Sequence, residues 1–140
     1  MTDIPQDKIS AYLATDYIVH SDSSTFAMRI GTFSPEVQAI YESQGWTCCI
    51  FITAFNPFGR EQSRAENELA HAELGIELRT ISLNVSEGEG TDPTLNWHPE
   101  KSFLAHGIDE QKSRELGTNY RQDAVVWVGQ DAVPRLLLLR

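Results

Sequence analysis

The chain has 140 residues, of which 41% are hydrophobic and 22% are charged. That composition is typical of one globular domain, and it excludes a disordered chain, a collagen-like chain, a coiled coil and a disulfide scaffold. Twenty acidic residues against eleven basic ones give a net charge of −9, which disfavours binding to nucleic acids and to anionic membranes. We therefore expect one soluble domain over residues 1–140.

The first thirty residues predict a helix and a hairpin. The apolar residues of 9–13 have helical spacing after Pro5, which predicts a short helix there. Two apolar segments follow, 17–19 and 26–30, and the second alternates strictly, as a strand does. Because the turn-forming residues of 21–24 lie between them, we expect the two strands to form a hairpin.

A second helix and a central strand are predicted next. Ser34 supplies a capping hydroxyl and Pro35 suits the first helical position, so a helix begins here and ends at Gly45. Residues 46–55 are apolar on both faces apart from two threonines. That pattern is typical of a strand that is covered on both sides, in the middle of a sheet.

The third helix begins with a capping box, Ser63 to Glu66, and is predicted to end at Gly75. The residues of 76–85 then alternate in two phases, which predicts a strand with a bulge between the phases. The polar residues of 86–97 predict a mobile loop.

The last forty residues predict three strands and one helix. A strand is expected over 102–106, and a capped helix over 109–116 is closed by Gly117. A buried strand over 124–128 follows, and 136–139 predicts a final strand at the edge of the sheet.

Helices and strands alternate after the opening hairpin, which predicts the fold class α/β (or α+β). The segments 25–55 and 46–85 each contain a helix long enough to return the chain in the parallel direction. We therefore expect a single domain with a mixed sheet of about five to seven strands and with helices packed on it. The strand order is left open.

The two cysteines are predicted to be reduced and buried. Cys48 and Cys49 are adjacent, and neighbouring side chains of a strand point to opposite faces, so a disulfide between them is sterically poor. The longest apolar run, 48–52, is far too short to span a bilayer, and the polar residues of 1–8 do not form a signal peptide. The expected location is the cytoplasm.

Two familiar site types are not supported. The segment Glu87-Gly88-Glu89-Gly90 resembles a phosphate-binding glycine loop, but its carboxylates would repel phosphate and no helix follows it. No pair of histidines has the spacing of a zinc-binding helix, so no metal site is predicted. The sequence specifies no cofactor.

Polar residues at strand boundaries are the candidate site. Thr53, Asn56 and Pro57 follow the central strand, where sheets commonly place ligands. Glu100 and Ser102 share one face at the start of another strand and could bind a ligand or transfer protons. Equally, Asn56 and Pro57 could simply end the strand, and Glu100 and Ser102 could be ordinary strand-end residues.

Two further amides belong to the same group of candidates. Asn67 lies on the capped helix and Gln122 directly precedes a buried strand. Both also have a simple explanation as local hydrogen-bonding residues.

Four short segments, taken in order, resemble a bacterial protein family called domain of unknown function 3293. They are Thr53-Ala54-Phe55-Asn56-Pro57, Glu66-Asn67, Pro99-Glu100-Lys101-Ser102-Phe103 and Tyr120-Arg121-Gln122-Asp123-Ala124. Ala11-Tyr12 and Ile30-Gly31 also look like the family, so the resemblance spans nearly the whole chain. The family usually has Asn at 123 and Glu-Pro-Ser at 100–102, and neither departure removes a candidate side chain.

The resemblance implies a small cytosolic bacterial protein and no assigned activity. It also implies six polar positions of interest, which are Thr53, Asn56, Asn67, Glu100, Ser102 and Gln122. Because nearly all of these are uncharged, the leading hypothesis is a pocket for a small polar or nucleotide-like ligand at the end of the central strand. The alternatives are an enzyme that uses Glu100 as general acid or base, with Asn56 and Gln122 orienting the substrate, and a regulatory protein-interaction domain without a small-molecule site.

Two geometric expectations can be tested directly. The side chains of Asn56 and Glu100 should lie within about 15 Å of each other, the span of one small-ligand pocket. The leucines of 136–139 should either pair two chains in a homodimer through the edge strand or be covered within the monomer.

Overall fold

The computed structural model describes residues 2–94 and 97–140. Its helices are α1 (Gln6–Ala14), α2 (Pro35–Gln44), α3 (Arg64–Ile81) and α4 (Glu110–Asn119), with a short 3₁₀ turn at Pro57–Gly59. Its strands are β1 (Asp16–His20), β2 (Thr25–Met28), β3 (Cys49–Thr53), β4 (Asn84–Thr91), β5 (Glu100–His106), β6 (Ala124–Val128) and β7 (Pro134–Leu138). No helix in the described ranges is long and apolar enough to cross a membrane.

All seven strands belong to one curled sheet with the order β2-β1-β4-β5-β3-β6-β7. The predicted single α/β domain, with helices packed on a sheet of five to seven strands, is confirmed. The opening hairpin is confirmed as well, because β1 pairs with β2.

Every neighbouring pair of strands is antiparallel, so the expectation of parallel pairs in a mixed sheet was wrong. The alternation of direction across the sheet makes β2, β3 and β4 point the same way, as the two crossovers predicted. These strands are not neighbours, however, because β5 lies between β3 and β4, and three strands separate β2 from β3. The crossovers therefore return the chain in the parallel direction without making a parallel pair.

The sheet has an apolar cluster on each face. One cluster includes Met28, Val37 of α2 and Phe51. The other packs Ile50 against Leu74 of α3 and Leu116 of α4. Strand β3 thus contributes side chains to both clusters, and its place between β5 and β6 confirms the predicted central strand. Both cysteines are free, and Cys49 is buried as predicted, whereas Cys48, which precedes β3, is only half-buried, so the prediction of burial was wrong for it.

Helix α3 continues six residues beyond its predicted end at Gly75. That glycine permits close packing rather than ending the helix, because a Cβ there would lie 2.8 Å from Cζ of Phe103 on β5. The bulged strand predicted for 76–85 was therefore wrong: its first half is helix, and β4 begins only at Asn84.

Residues 86–91, the first half of the polar segment predicted as a mobile loop, are strand β4, which pairs with β1 and β5, and residues 95–96 of that segment lie outside the described residues. The expected apolar alternation is missing because a serine and two glycines occupy its buried positions, Ser86, Gly88 and Gly90. A Cβ at Gly88 would overlap the carbonyl oxygen of Ile18 on β1. The close approach of two backbones, rather than a turn, explains this glycine.

The predicted helix starts are confirmed by their capping hydrogen bonds. The Ser34 hydroxyl accepts from the backbone N–H of Val37, and the Asp109 carboxylate accepts from that of Lys112. Ser63 and Glu66 form the complete capping box of α3. Helix α4 runs two residues past Gly117, its predicted end.

Strand β7 is an edge strand, as predicted. Leu137 is buried in the monomer, and Leu139 packs against the same apolar cluster. The backbone carbonyl of Pro134 accepts from the Gly31 N–H, and Arg114 donates to the carbonyl of Leu138. A homodimer through this edge stays a prediction, which light scattering at high protein concentration tests.

Candidate functional site

The loop that follows β3 has a backbone conformation that residues other than glycine rarely adopt. Asn56 and Phe58 have φ angles of 47° and 54°, in the left-handed region that favours glycine. Arg121, with φ 56°, lies directly against this loop, and its carbonyl accepts the Phe58 N–H at 2.7 Å. Three left-handed, non-glycine residues therefore meet at the end of the central strand, and such strain is often found at functional sites.

An amide network holds this loop on α3. The Asn56 N–H donates to Oδ1 of Asn67 at 2.9 Å, and Nδ2 of Asn67 donates back to Oδ1 of Asn56 at 3.0 Å. Gln62 donates to both residues, through its side chain to Oδ1 of Asn67 and through its backbone to Oδ1 of Asn56. Asn56, Gln62 and Asn67 thus form a network of hydrogen bonds with one another.

The same network reaches Glu100 at the start of β5. Nδ2 of Asn56 donates to Oε2 of Glu100 at 2.9 Å, so the predicted proximity of these two side chains is confirmed. Burial raises the pKa of Glu100, while the Asn56 hydrogen bond and the charge of Lys8 lower it by less. Glu100 therefore keeps its proton to a higher pH than an exposed glutamate does.

A second carboxylate lies close by, and it is fully ion-paired. The Asp123 side chain has no exposed surface and accepts hydrogen bonds from Lys8 of α1 and from Arg140. Burial by itself would raise the pKa of Asp123, but the hydrogen bonds and charges of Arg140 and Lys8 outweigh it and lower the pKa. Lys8 also donates to the Phe58 carbonyl at 3.1 Å, so α1 is fastened to the same loop.

The other three predicted residues bond to backbone. The Thr53 hydroxyl donates to the Lys101 carbonyl at 2.7 Å, and that of Ser102 donates to the carbonyl of Glu100 at 3.0 Å. Nε2 of Gln122 donates to the carbonyl of Phe55 at 3.1 Å and to that of Tyr120 at 3.2 Å. The structure therefore joins Asn56, Asn67 and Glu100 directly, whereas Thr53, Ser102 and Gln122 position the segments around them.

Sequence reasoning missed the charged members of this cluster, Lys8, Asp123 and Arg140, and the neutral phenol of Tyr12 near them. The phenol of Tyr12 has a raised pKa, first because of burial and then because of the charges of Asp123 and Glu100. One signal was present in the sequence: Asp123 directly precedes a buried strand, and buried carboxylates need partners. Which cations would supply those partners could not be read from the chain.

An open groove of about 360 Å³ adjoins the network on the α3 side. The loop forms one end of it, α3 forms one wall, and the turn between α4 and β6 forms the other. Gln62 belongs both to the groove and to the amide network. The lining residues are Ala54, Pro57, Gln62, Glu66, Leu69, Ala70, Glu73, Asn119, Tyr120 and Arg121.

Among residues 2–94 and 97–140, no group of three or more His, Cys, Asp or Glu side chains is placed to hold a metal ion.

Of three comparisons with known proteins, only the comparison with protein families gives a match. Neither the curated proteins nor the solved structures contain a match to this chain. One family matches residues 52–125, a range that holds the four segments on which the resemblance rests but neither Ala11-Tyr12 nor Ile30-Gly31. Because the match covers just over half of the chain, this protein belongs to the family described as Protein of unknown function (DUF3293).

Proposed function

We propose that this protein binds a small polar ligand in the groove at the end of β3. The observation that carries the proposal is the loop of Asn56 and Phe58, which is held in the left-handed region at the end of an open groove. Each such residue costs about 1–3 kcal/mol and persists only where its surroundings hold it in place. A loop fixed at this cost, beside a space of ligand size, is a reasonable place for a binding site.

The groove is lined by both acidic and basic side chains. Glu66 and Glu73 lie on the wall formed by α3, and Tyr120 and Arg121 lie on the opposite wall. A phosphate group would meet the two carboxylates, which favours a ligand without phosphate over a nucleotide. A small molecule that carries an amine together with hydrogen-bonding groups fits these walls best.

In this proposal the predicted site residues shape the groove and do not contact the ligand. Asn56 and Asn67 hydrogen-bond to each other, and Gln122 hydrogen-bonds to backbone carbonyls. They would hold Pro57 and Gln62, which line the groove, in place.

Ligand-observed NMR with a panel of free amino acids, nucleosides and polyamines tests the proposal. Asn119→Trp should abolish binding, because residue 119 is exposed on the groove wall and an indole there would fill the space. Thr118→Trp is the matched control, since Thr118 is the preceding residue, equally exposed, and does not line this groove. The proposal fails if nothing in the panel binds, or if binding survives Asn119→Trp unchanged.

Catalysis with Glu100 as general acid or base is the second candidate function. The buried carboxyl with its raised pKa supports it, because a proton retained toward neutral pH is what a general acid needs. Asn56 would orient this carboxyl and Ser102 would fix the start of its strand. Any turnover of a panel compound should disappear in Glu100→Gln, which keeps an oxygen to accept the Asn56 hydrogen bond. Equal turnover by Glu100→Gln would exclude this role.

We also propose that the protein is cytoplasmic and bacterial. Two free cysteines support a reducing compartment, and the family resemblance supports the source. Cell fractionation with antibodies against the chain tests the location.

A further inference from the structure

Helix α3 has a second apolar face, directly opposite the one that packs on the sheet. The packed face includes Leu74 and Leu78, which are fully buried. The opposite face consists of Ala65, Leu69, Ala72 and Ile76, spaced by four, three and four residues, and we call it the outer stripe. All four are exposed, and Leu69 and Ile76 have 63% and 66% of their surface in solvent.

This pattern is unusual for a surface helix. A helix that packs against its own domain needs one apolar face, and the rest is normally polar. The outer stripe instead alternates small and large residues with heptad spacing, so that Ala72 leaves room between Leu69 and Ile76 and Ala65 leaves room before Leu69. That is the surface into which a second helix packs its side chains.

The charges beside the outer stripe differ on its two flanks. Glu66 and Glu73 border it on the side of the groove. Glu73 makes no ion pair or hydrogen bond with any residue of 2–94 or 97–140. On the other flank Glu68 is paired with Lys101 at 2.9 Å, and the Arg79 guanidinium lies over the ring of Phe103. A net negative charge is therefore left only on the groove side.

We propose that the outer stripe of α3 docks an amphipathic helix of another protein, with Lys or Arg residues along the border that faces Glu66 and Glu73. The apolar seam of that helix would cover Leu69 and Ile76. The unpaired carboxylate of Glu73 would gain a cationic partner.

A second copy of this chain is a poor occupant. In an antiparallel helix pair the same flanks meet, which would place Glu66 and Glu73 against their own copies. In a parallel pair opposite flanks meet with an offset of five residues, which would place Glu68 beside the other Glu73. Either arrangement brings like charges together, in a chain whose net charge is already −9.

Fluorescence anisotropy with labelled synthetic peptides tests the proposal. The probe, which we call the seam peptide, has about 20 residues and is long enough to be partly helical. On the helix its Leu and Ala residues form one apolar stripe, which Lys residues border. A shuffled peptide of the same composition has the same charge and no apolar face. At physiological salt, where surface charges are screened beyond about 8 Å, the seam peptide should bind at least tenfold more tightly than the shuffled one.

Four variants locate the site on the helix. Ile76→Ser should weaken binding of the seam peptide about tenfold, since it removes most of a covered aliphatic side chain. Leu13→Ser, which changes a leucine 46% exposed on α1, should leave binding unchanged. Glu73→Lys should weaken binding, while Glu42→Lys on α2 should not.

Three outcomes would overturn the proposal. The first is equal binding of the seam and shuffled peptides, because charge attraction alone would then explain the binding. The second is an affinity that Ile76→Ser and Glu73→Lys leave unchanged. The third is a dimer of this chain in light scattering that Ile76→Ser dissociates. Ile76 does not line the groove, so the results with Ile76→Ser do not bear on the small-ligand site, whereas Glu73 belongs to both surfaces.

Discussion

Replacing Asn56 should reveal how much the amide network contributes to stability. Its side chain makes three hydrogen bonds, one to the Glu100 carboxylate and one each with Asn67 and Gln62. A net hydrogen bond contributes about 1 kcal/mol, and one to a charged group about 1.5–3 kcal/mol. These values sum to about 3.5–5 kcal/mol, and because Asn56 is only half-buried we expect a smaller loss, about 2–3 kcal/mol, in Asn56→Gly.

Replacing Asn56 by alanine should lower the free energy of unfolding more than replacing it by glycine. Asn56 has φ 47°, and an alanine pays for the left-handed conformation, whereas a glycine does not. After allowing for the greater freedom of glycine in the unfolded chain, Asn56→Ala should be about 1 kcal/mol less stable than Asn56→Gly.

Urea unfolding measures both variants, with Asn119→Ala at the exposed end of α4 as the control expected to lie within about 0.5 kcal/mol of the parent chain. The reasoning is refuted if Asn56→Ala is as stable as the parent chain, or if it is more stable than Asn56→Gly.

The other predictions concern two carboxylates and two glycines. Because burial raises the pKa of Glu100, its charged form destabilises the folded state, so Glu100→Gln should raise the free energy of unfolding at pH 7. That gain should vanish in unfolding curves below the ordinary pKa of 4.5; a gain that is independent of pH would contradict it. The pKa of Asp123 is lowered, so its stabilisation is complete above the ordinary value of 3.8 and is lost as the pH falls through the folded-state pKa. Asp123→Asn should therefore destabilise the chain at pH 7 and speed amide hydrogen exchange in α1, whereas unchanged exchange there would argue against the fastening of α1. Gly88→Ala should destabilise by about 3 kcal/mol or more in urea unfolding, because its Cβ overlaps a backbone oxygen that cannot turn away. Gly90→Ala on the same face should be tolerated, since its Cβ would lie 3.8 Å from the nearest atom, and equal costs for the two would refute the overlap.

Local signals in the sequence were sufficient for most elements. The capping residues Ser34, Ser63 and Asp109 marked three helix starts, because a cap bonds to backbone only three residues away. The unbroken apolar run before Thr53 marked the central strand for a similar reason, since a strand covered on both faces has no polar face to show.

The glycines show where local signals failed. The sequence predicts a helix end at Gly75 and a loop at Gly88, because glycine usually marks such places. Their true reason is contact with residues far along the chain, the ring of Phe103 and the backbone of Ile18. A missing side chain that makes room for a distant neighbour has no local signature.

The candidate site divides in the same way. Local patterns in the chain place Asn56 and Glu100 at strand boundaries and Asn67 on the capped helix that follows, and such segments can meet at the end of a sheet. The packing of distant segments brings Lys8 of α1 and Arg140 to Asp123, and these residues are separated by up to 132 positions of chain. Strand order was decided by that packing as well, because an antiparallel sheet of these strands satisfies the same local patterns in many orders. Capping and periodicity act over a few residues, whereas order and charge pairing depend on which distant surfaces pack together.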